Sequence, residues 1–137
     1  MVFWWALFAM ICWGIAPILA KMGLANVNPV AGLVLRTLVA ATLVTSWVGL
    51  TGNFEDVRFI PVKNWILITG EAILATLVGD LAYFFAIKNG DVSQVSFIVS
   101  SSPLITMIAA SLILGEHITM LRIVGACYIL IGLLMLR

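Results

Sequence analysis

NWILITGEAILATLVGDLAYFFAI, residues 64–87, decides the fold. The run holds no lysine, arginine or proline, and its charged residues are Glu71 and Asp80. About 20 apolar residues cross a bilayer as a helix, so this stretch reads as a membrane span with two acids inside it. An ionised side chain in hydrocarbon is costly and normally faces a protein interior or a water-filled path. Glu71 and Asp80, with Arg36 in a second apolar run, are therefore the first pointers to function.

Composition carries the same reading to the rest of the chain. Of 137 residues, 64% are hydrophobic and 9% are charged. A soluble domain of this size would have to leave much of that apolar surface in water. The sequence predicts an all-α polytopic membrane protein, a single domain over 1–137 with five transmembrane helices and no soluble domain left over. The helices are expected at about 2–24, 29–50, 64–87, 92–114 and 118–136. The breaks are Asn28-Pro29, the polar segment Thr51 to Lys63, the turn Lys88-Asn89-Gly90-Asp91, and Gly115-Glu116-His117. The first run has no basic flank and is too long for a cleaved signal peptide. Cys12 and Cys127 lie in apolar runs, where thiols usually serve as small apolar residues. A net charge of +1 gives no sign of a nucleic-acid partner.

Five spans put the termini on opposite sides. The amino-terminal side then carries Arg58, Lys63 and Arg122, and the other side Lys21, Lys88 and Arg137. Orientation normally follows an excess of Lys and Arg in cytoplasmic loops, and here there is almost none. Two readings follow: dual topology with antiparallel pairing, or one orientation set by a few positions. Trp4, Trp5, Trp47 and Trp65 gather near the amino-terminal side as an interfacial belt would, whereas Trp13 sits well inside the first span.

Depth comes from counting along the helix. Arg36 lies seven residues past Pro29, about 10 Å in, and Asp80 eight residues before Lys88, about 12 Å in from the same side. Their depths match, so a membrane-embedded pair is expected, serving to neutralise two charges, to bind a solute, or both. Glu71 enters from the opposite side, about 10 Å past Asn64. On an ideal helix it points half a turn away from Asp80. Hydrocarbon disfavours the charged form of an unpaired acid, which makes Glu71 a candidate proton carrier; at the edge of the hydrocarbon it would simply reach water. Thr69, Thr76, Asp80 and Tyr83 form a polar stripe on the third span, and Ser93, Ser96, Ser100, Pro103 and Met107 one on the fourth. Such stripes suit close helix packing as well as a polar cavity. Pro17 and Pro103 fall in mid-span, where a proline kinks a helix or marks a site.

Enzyme chemistry is not expected. His117 is the one histidine, no HExxH metal motif is present, and Ser100-Ser101-Ser102 have no deep histidine or lysine partner. No metal or cofactor is predicted.

Several segments resemble EamA-type members of the drug/metabolite transporter superfamily. They are Trp13-Gly14 to Lys21, Asn28-Pro29 to Arg36, Ala86-Ile87-Lys88 before Asp91 to Ser96, Pro103-Leu104 before Leu114-Gly115-Glu116, and Ile123-Val124-Gly125-Ala126 to Gly132. Their order and spacing cover nearly the whole chain. Asp80 and Glu71 are not among the positions that carry the resemblance, and their roles are read from the residues alone. The resemblance implies one five-helix half of a ten-helix alternating-access transporter, residing in the cell (inner) membrane of a prokaryote. A lone half needs an inverted second copy or an oppositely oriented partner half, and Gly125 and Gly132 would lie at the dimer contact.

The expectation is a secondary transporter of a small metabolite or amino-acid-like solute, acting as an antiparallel homodimer with optional proton coupling. Trp13 and Tyr83 would offer aromatic faces to the solute. Arg36 would bind an anionic group or hold Asp80, Ser96 and Ser100 would hydrogen-bond the solute, and Glu71 or Asp80 would carry a coupled proton. The alternatives are a non-transporting accessory membrane subunit and a lipid-carrier flippase subunit.

Overall fold

The helix starts and stops follow from local chemistry. In the computed structural model, which describes residues 1–52 and 57–135, α1 runs over Val2–Gly23 and α2 over Pro29–Thr51. The side-chain oxygen of Asn28 accepts the Val30 N–H at 2.8 Å, and Pro29 follows at the first helical position, where its missing N–H costs nothing. α2 stops at Gly52, whose φ of 75° is the left-handed conformation that ends helices. α3 spans Val62–Asn89, α4 Val92–Leu114 and α5 Met120–Met135. No strand occurs among the described residues. Asn53, Glu55 and Asp56 of the long loop, Leu136 at the expected end of the last helix, and Arg137 lie outside the described residues.

α1 to α4 are long and apolar enough to cross a membrane. Among the described residues α5 has 16, against the about 20 a full span takes. The chain from Gly115 to Thr119 is non-helical, and the Arg122 N–H reaches Thr119 Oγ1 at 3.4 Å as α5 begins. Two compact units emerge, Met1–Asn89 and Gly90–Arg137.

In the first unit, the core is a small cluster where α1 ends, α2 begins and α3 ends. Leu24, Leu33 and Phe84 are buried together, with Ala20, Leu81 and Tyr83 packed against them, and Ile87 is fully buried. Two lysines tie the same end. Lys21 Nζ donates to the carbonyls of Ile87 (2.7 Å) and Lys88 (3.1 Å) in the last turn of α3. Lys88 Nζ donates to the Val27 carbonyl at 2.8 Å. Cations suit helix C-termini, whose last carbonyls lack partners within the helix. Away from this cluster the helices are bare, as lipid-facing surfaces are. The hydroxyls of Thr42, Thr45 and Thr51 on α2 bond back to their own helix, at Leu38, Ala41 and Trp47, which satisfies them without a neighbour.

Close approach of α2 to this core depends on Gly32. A Cβ there would lie 2.6 Å from Leu24 Cδ2 and 3.5 Å from Phe84 Cε2. Leu24 is buried and has little room to withdraw. Gly32→Val is therefore expected to cost about 1–3 kcal/mol, the usual range for overpacking. Survival of monodisperse protein after heating in detergent reads the loss, and wild-type survival would show that α2 does not approach this closely.

Two local irregularities depart from an ideal reading of the spans. α3 is α-helical over Val62–Ala72 and Asp80–Asn89 but π-helical over Ile73–Gly79, where the Asp80 N–H bonds to the Ala75 carbonyl. A π segment bonds i to i+5 and takes in more residues per turn than the about 3.6 of an α-helix. The half-turn phase expected between Glu71 and Asp80, and the stripe Thr69-Thr76-Asp80-Tyr83, assume α geometry throughout and do not carry across it. In the second unit, α4 breaks at Ser100 and Ser101 between Val92–Val99 and Ser102–Leu114. Pro103 is the cause: it has no N–H for the Val99 carbonyl, and its ring opposes the preceding turn.

Candidate functional site

The candidate site stands on the buried cluster of the first unit. Arg36 lies one turn beyond Gly32 and Leu33 on α2, and Asp80 one turn before Phe84 on α3. The two groups of matched depth form an ion pair between Arg36 Nη1 and Asp80 Oδ2. The guanidinium carbon of Arg36 lies 5.8 Å from the centroid of the Phe84 ring, within cation–π range. Arg36, Asp80 and Phe84 thus form one constellation. Tyr83, beside Phe84 in sequence, packs against the same cluster.

The pair is half-open. The Arg36 side chain is 51% exposed and that of Asp80 25%. Within an apolar span, such exposure has to meet water or protein polar groups, because lipid tails satisfy neither charge. Asp80 also occupies a structural junction, the point where the π segment returns to α-helix. Single π turns inside helices are frequent at functional sites.

The other expected site residues are placed differently. Glu71 is exposed on α3 and has no ion-pair or hydrogen-bond partner among the described residues. Trp13 is 77% exposed, with no ring or cation partner among the described residues. In the second unit, Ser96 is half-buried in the first segment of α4 and Ser100 is exposed at the break. The Ser100 N–H donates to the Ser96 carbonyl at 2.8 Å, and neither hydroxyl has a protein partner among the described residues. Gly125 and Gly132 lie on α5, where an added Cβ would meet nothing within 4 Å. Asp91, Val92, Ser93, Gln94 and Phe97 line a shallow depression at the start of α4. Cys12 and Cys127 are exposed free thiols. No group of His, Cys, Asp and Glu among the described residues is arranged to hold a metal ion.

Phe84 is the site member that sequence reading passes over. The available signal is its spacing: four residues after Asp80 on an α-helical segment, it shares a face with the acid. Among many aromatic residues in apolar spans, that spacing stands out only once Asp80 is known to hold Arg36.

Comparison with known proteins gives a consistent picture. The model of the EamA-like transporter family matches residues 1–137. An uncharacterized transporter in the cobO 3′ region of Sinorhizobium sp. is 30% identical over 132 residues, covering 96% of this chain and 93% of the relative. An uncharacterized transporter of Synechocystis sp. is 30% identical over 122 residues, covering 86% of this chain but 34% of that longer protein. No solved structure matches the chain.

Proposed function

We propose, from the premise that this chain belongs to the EamA-like transporter family, that it is one half of a secondary transporter and works as an antiparallel homodimer. The cargo of this reading is a small metabolite or amino-acid-like solute, moved by alternating access. The observation that carries it is the half-open Arg36–Asp80 pair on the Phe84 ring, inside helices apolar enough to cross a membrane. A pair left open offers polar groups to something that enters.

Support for a second half in this reading comes from the open Arg36–Asp80 pair and from the relatives. The same domain matches nearly the whole of one transporter and about a third of another, so related segments occur both at this length and within longer chains. The balanced basic residues favour an inverted second copy over a different partner half. Gly125 and Gly132, with open space beside them, suit the contact between copies. Trp13 and Tyr83 are the further solute contacts of this reading in the first unit; the hydroxyls of Ser96 and Ser100 are those the second unit offers. Glu71 or Asp80 carries any coupled proton; flux driven by a pH gradient that persists in both Glu71→Gln and Asp80→Asn would remove coupling from it. The membrane is the cell membrane of a prokaryote.

A compartment-sensitive reporter fused after Arg137 tests the arrangement. Signal on both sides of the membrane is expected. Signal on one side alone would rule out the antiparallel homodimer and require a separate, oppositely oriented partner.

A further inference from the structure

Arg36 carries more hydrogen-bonding capacity than Asp80 takes up. A guanidinium has five N–H donors in a planar fork, and Nη1 is the atom engaged by Asp80 Oδ2. The Phe84 ring, 5.8 Å away, accepts positive charge but no conventional hydrogen bond. Arg36 is also the more open partner, at 51% against 25% for Asp80. The spare polar capacity of the pair is therefore donor capacity, on its accessible side. In a membrane span that capacity calls for an acceptor, and a negatively charged one gains most.

We infer that this site takes a carboxylate-bearing solute, which binds Arg36 by displacing Asp80. The inference rests on the transport reading above and names the class of its cargo. Asp80 is the internal occupant of the place the solute takes. It keeps Arg36 paired when the site is empty, and it sets a threshold that an incoming anion has to exceed. A carboxylate is favoured over other oxyanions because a carboxylate is the acceptor to which the fork already donates there. A cationic solute would have to reach Asp80, the less exposed partner, and would strand the guanidinium against the Phe84 ring. Displacement of Asp80 also acts where the π segment returns to the α-helix, so solute binding bears on one of the two places where the hydrogen-bond pattern of α3 changes.

Isothermal titration of the full chain in detergent tests the inference, with benzoate as the probe and benzylammonium and inorganic phosphate as comparisons. Wild type is expected to bind benzoate in preference to both. Asp80→Asn is expected to bind benzoate about tenfold or more tightly, since the solute no longer has to replace a charge-assisted hydrogen bond. Arg36→Lys keeps the charge but loses the planar fork, and is expected to weaken benzoate binding by about tenfold or more. Should Asp80→Asn not purify folded, the Arg36→Lys arm decides alone. Benzoate affinity unchanged in either folded variant, or tighter binding of benzylammonium or phosphate than of benzoate, would overturn the inference. Because binding is read at equilibrium, it separates from transport. Benzoate binding without flux would defeat the transport reading alone, and flux of a cation without benzoate binding would defeat this inference alone.

Discussion

Removing either charge of the Arg36–Asp80 pair is expected to destabilise the protein, and removing both is expected to restore it. Arg36→Met leaves Asp80 without its partner inside an apolar span, and Asp80→Leu leaves the guanidinium with only the face of Phe84. Leaving one partner of a hydrogen-bonded pair unsatisfied costs about 1–3 kcal/mol, and each single variant is expected to lose that much. Replacing both partners by apolar side chains of similar volume is often neutral, because no charge is left to desolvate. The double variant Arg36→Met/Asp80→Leu should therefore survive heating in detergent as wild type does, while each single variant aggregates at a lower temperature. It should also bind no benzoate, since the fork is gone. A double variant as unstable as the singles would show that the two charges do not compensate each other. One that kept benzoate binding would place the anion site elsewhere.

The second large effect concerns orientation. Two added lysines in a short loop are expected to send every copy into the membrane the same way, because short loops rich in Lys and Arg stay cytoplasmic. Val57→Lys with Phe59→Lys loads the loop between α2 and α3, where both residues are exposed. Ala25→Lys with Asn26→Lys loads the opposite side, between α1 and α2, again at exposed positions. The wild-type balance of three basic residues against three is easily tipped by such a change. With the reporter after Arg137, each doubly substituted variant should report from one side only, and the two from opposite sides. Expressed alone with two different affinity tags, neither variant should pair with itself. Expressed together, the two should co-purify, as an antiparallel dimer requires. Self-pairing of one biased variant, or failure of the two to co-purify, would dismiss the antiparallel homodimer while leaving the Arg36–Asp80 site untouched.

Much of this architecture is readable from residue order alone. The long apolar runs, their breaks at Asn28-Pro29 and Gly115, and the matched depths of Arg36 and Asp80 require only counting. Depth is a one-dimensional quantity: an α-helix rises about 1.5 Å per residue whatever surrounds it. Composition likewise suffices for the bilayer as solvent, since 64% hydrophobic residues cannot be hidden by a soluble chain of 137. Chain order also brings out the family resemblance.

What depends on rotation and on neighbours lay out of reach. Phe84 beneath Arg36, the lysines that tie the end of α3 to α1 and to the turn before α2, and the exposure of Trp13 all turn on which face each helix presents. That face is decided by packing, here the approach of α2 over Gly32 to Leu24 and Phe84. The π segment adds a second reason. Over Ile73–Gly79 the hydrogen bonds skip to i+5, so counting at 3.6 residues per turn places Glu71 and Asp80 at the wrong relative angle although their order along the helix is right. The sequence by itself determined that Arg36 and Asp80 lie level along their helices, because rise per residue in an α-helix is nearly invariant. Only the tertiary structure decided what each charge faces, because rotation about a helix axis is set by hydrogen-bond pattern and contact, neither of which a single chain of letters records.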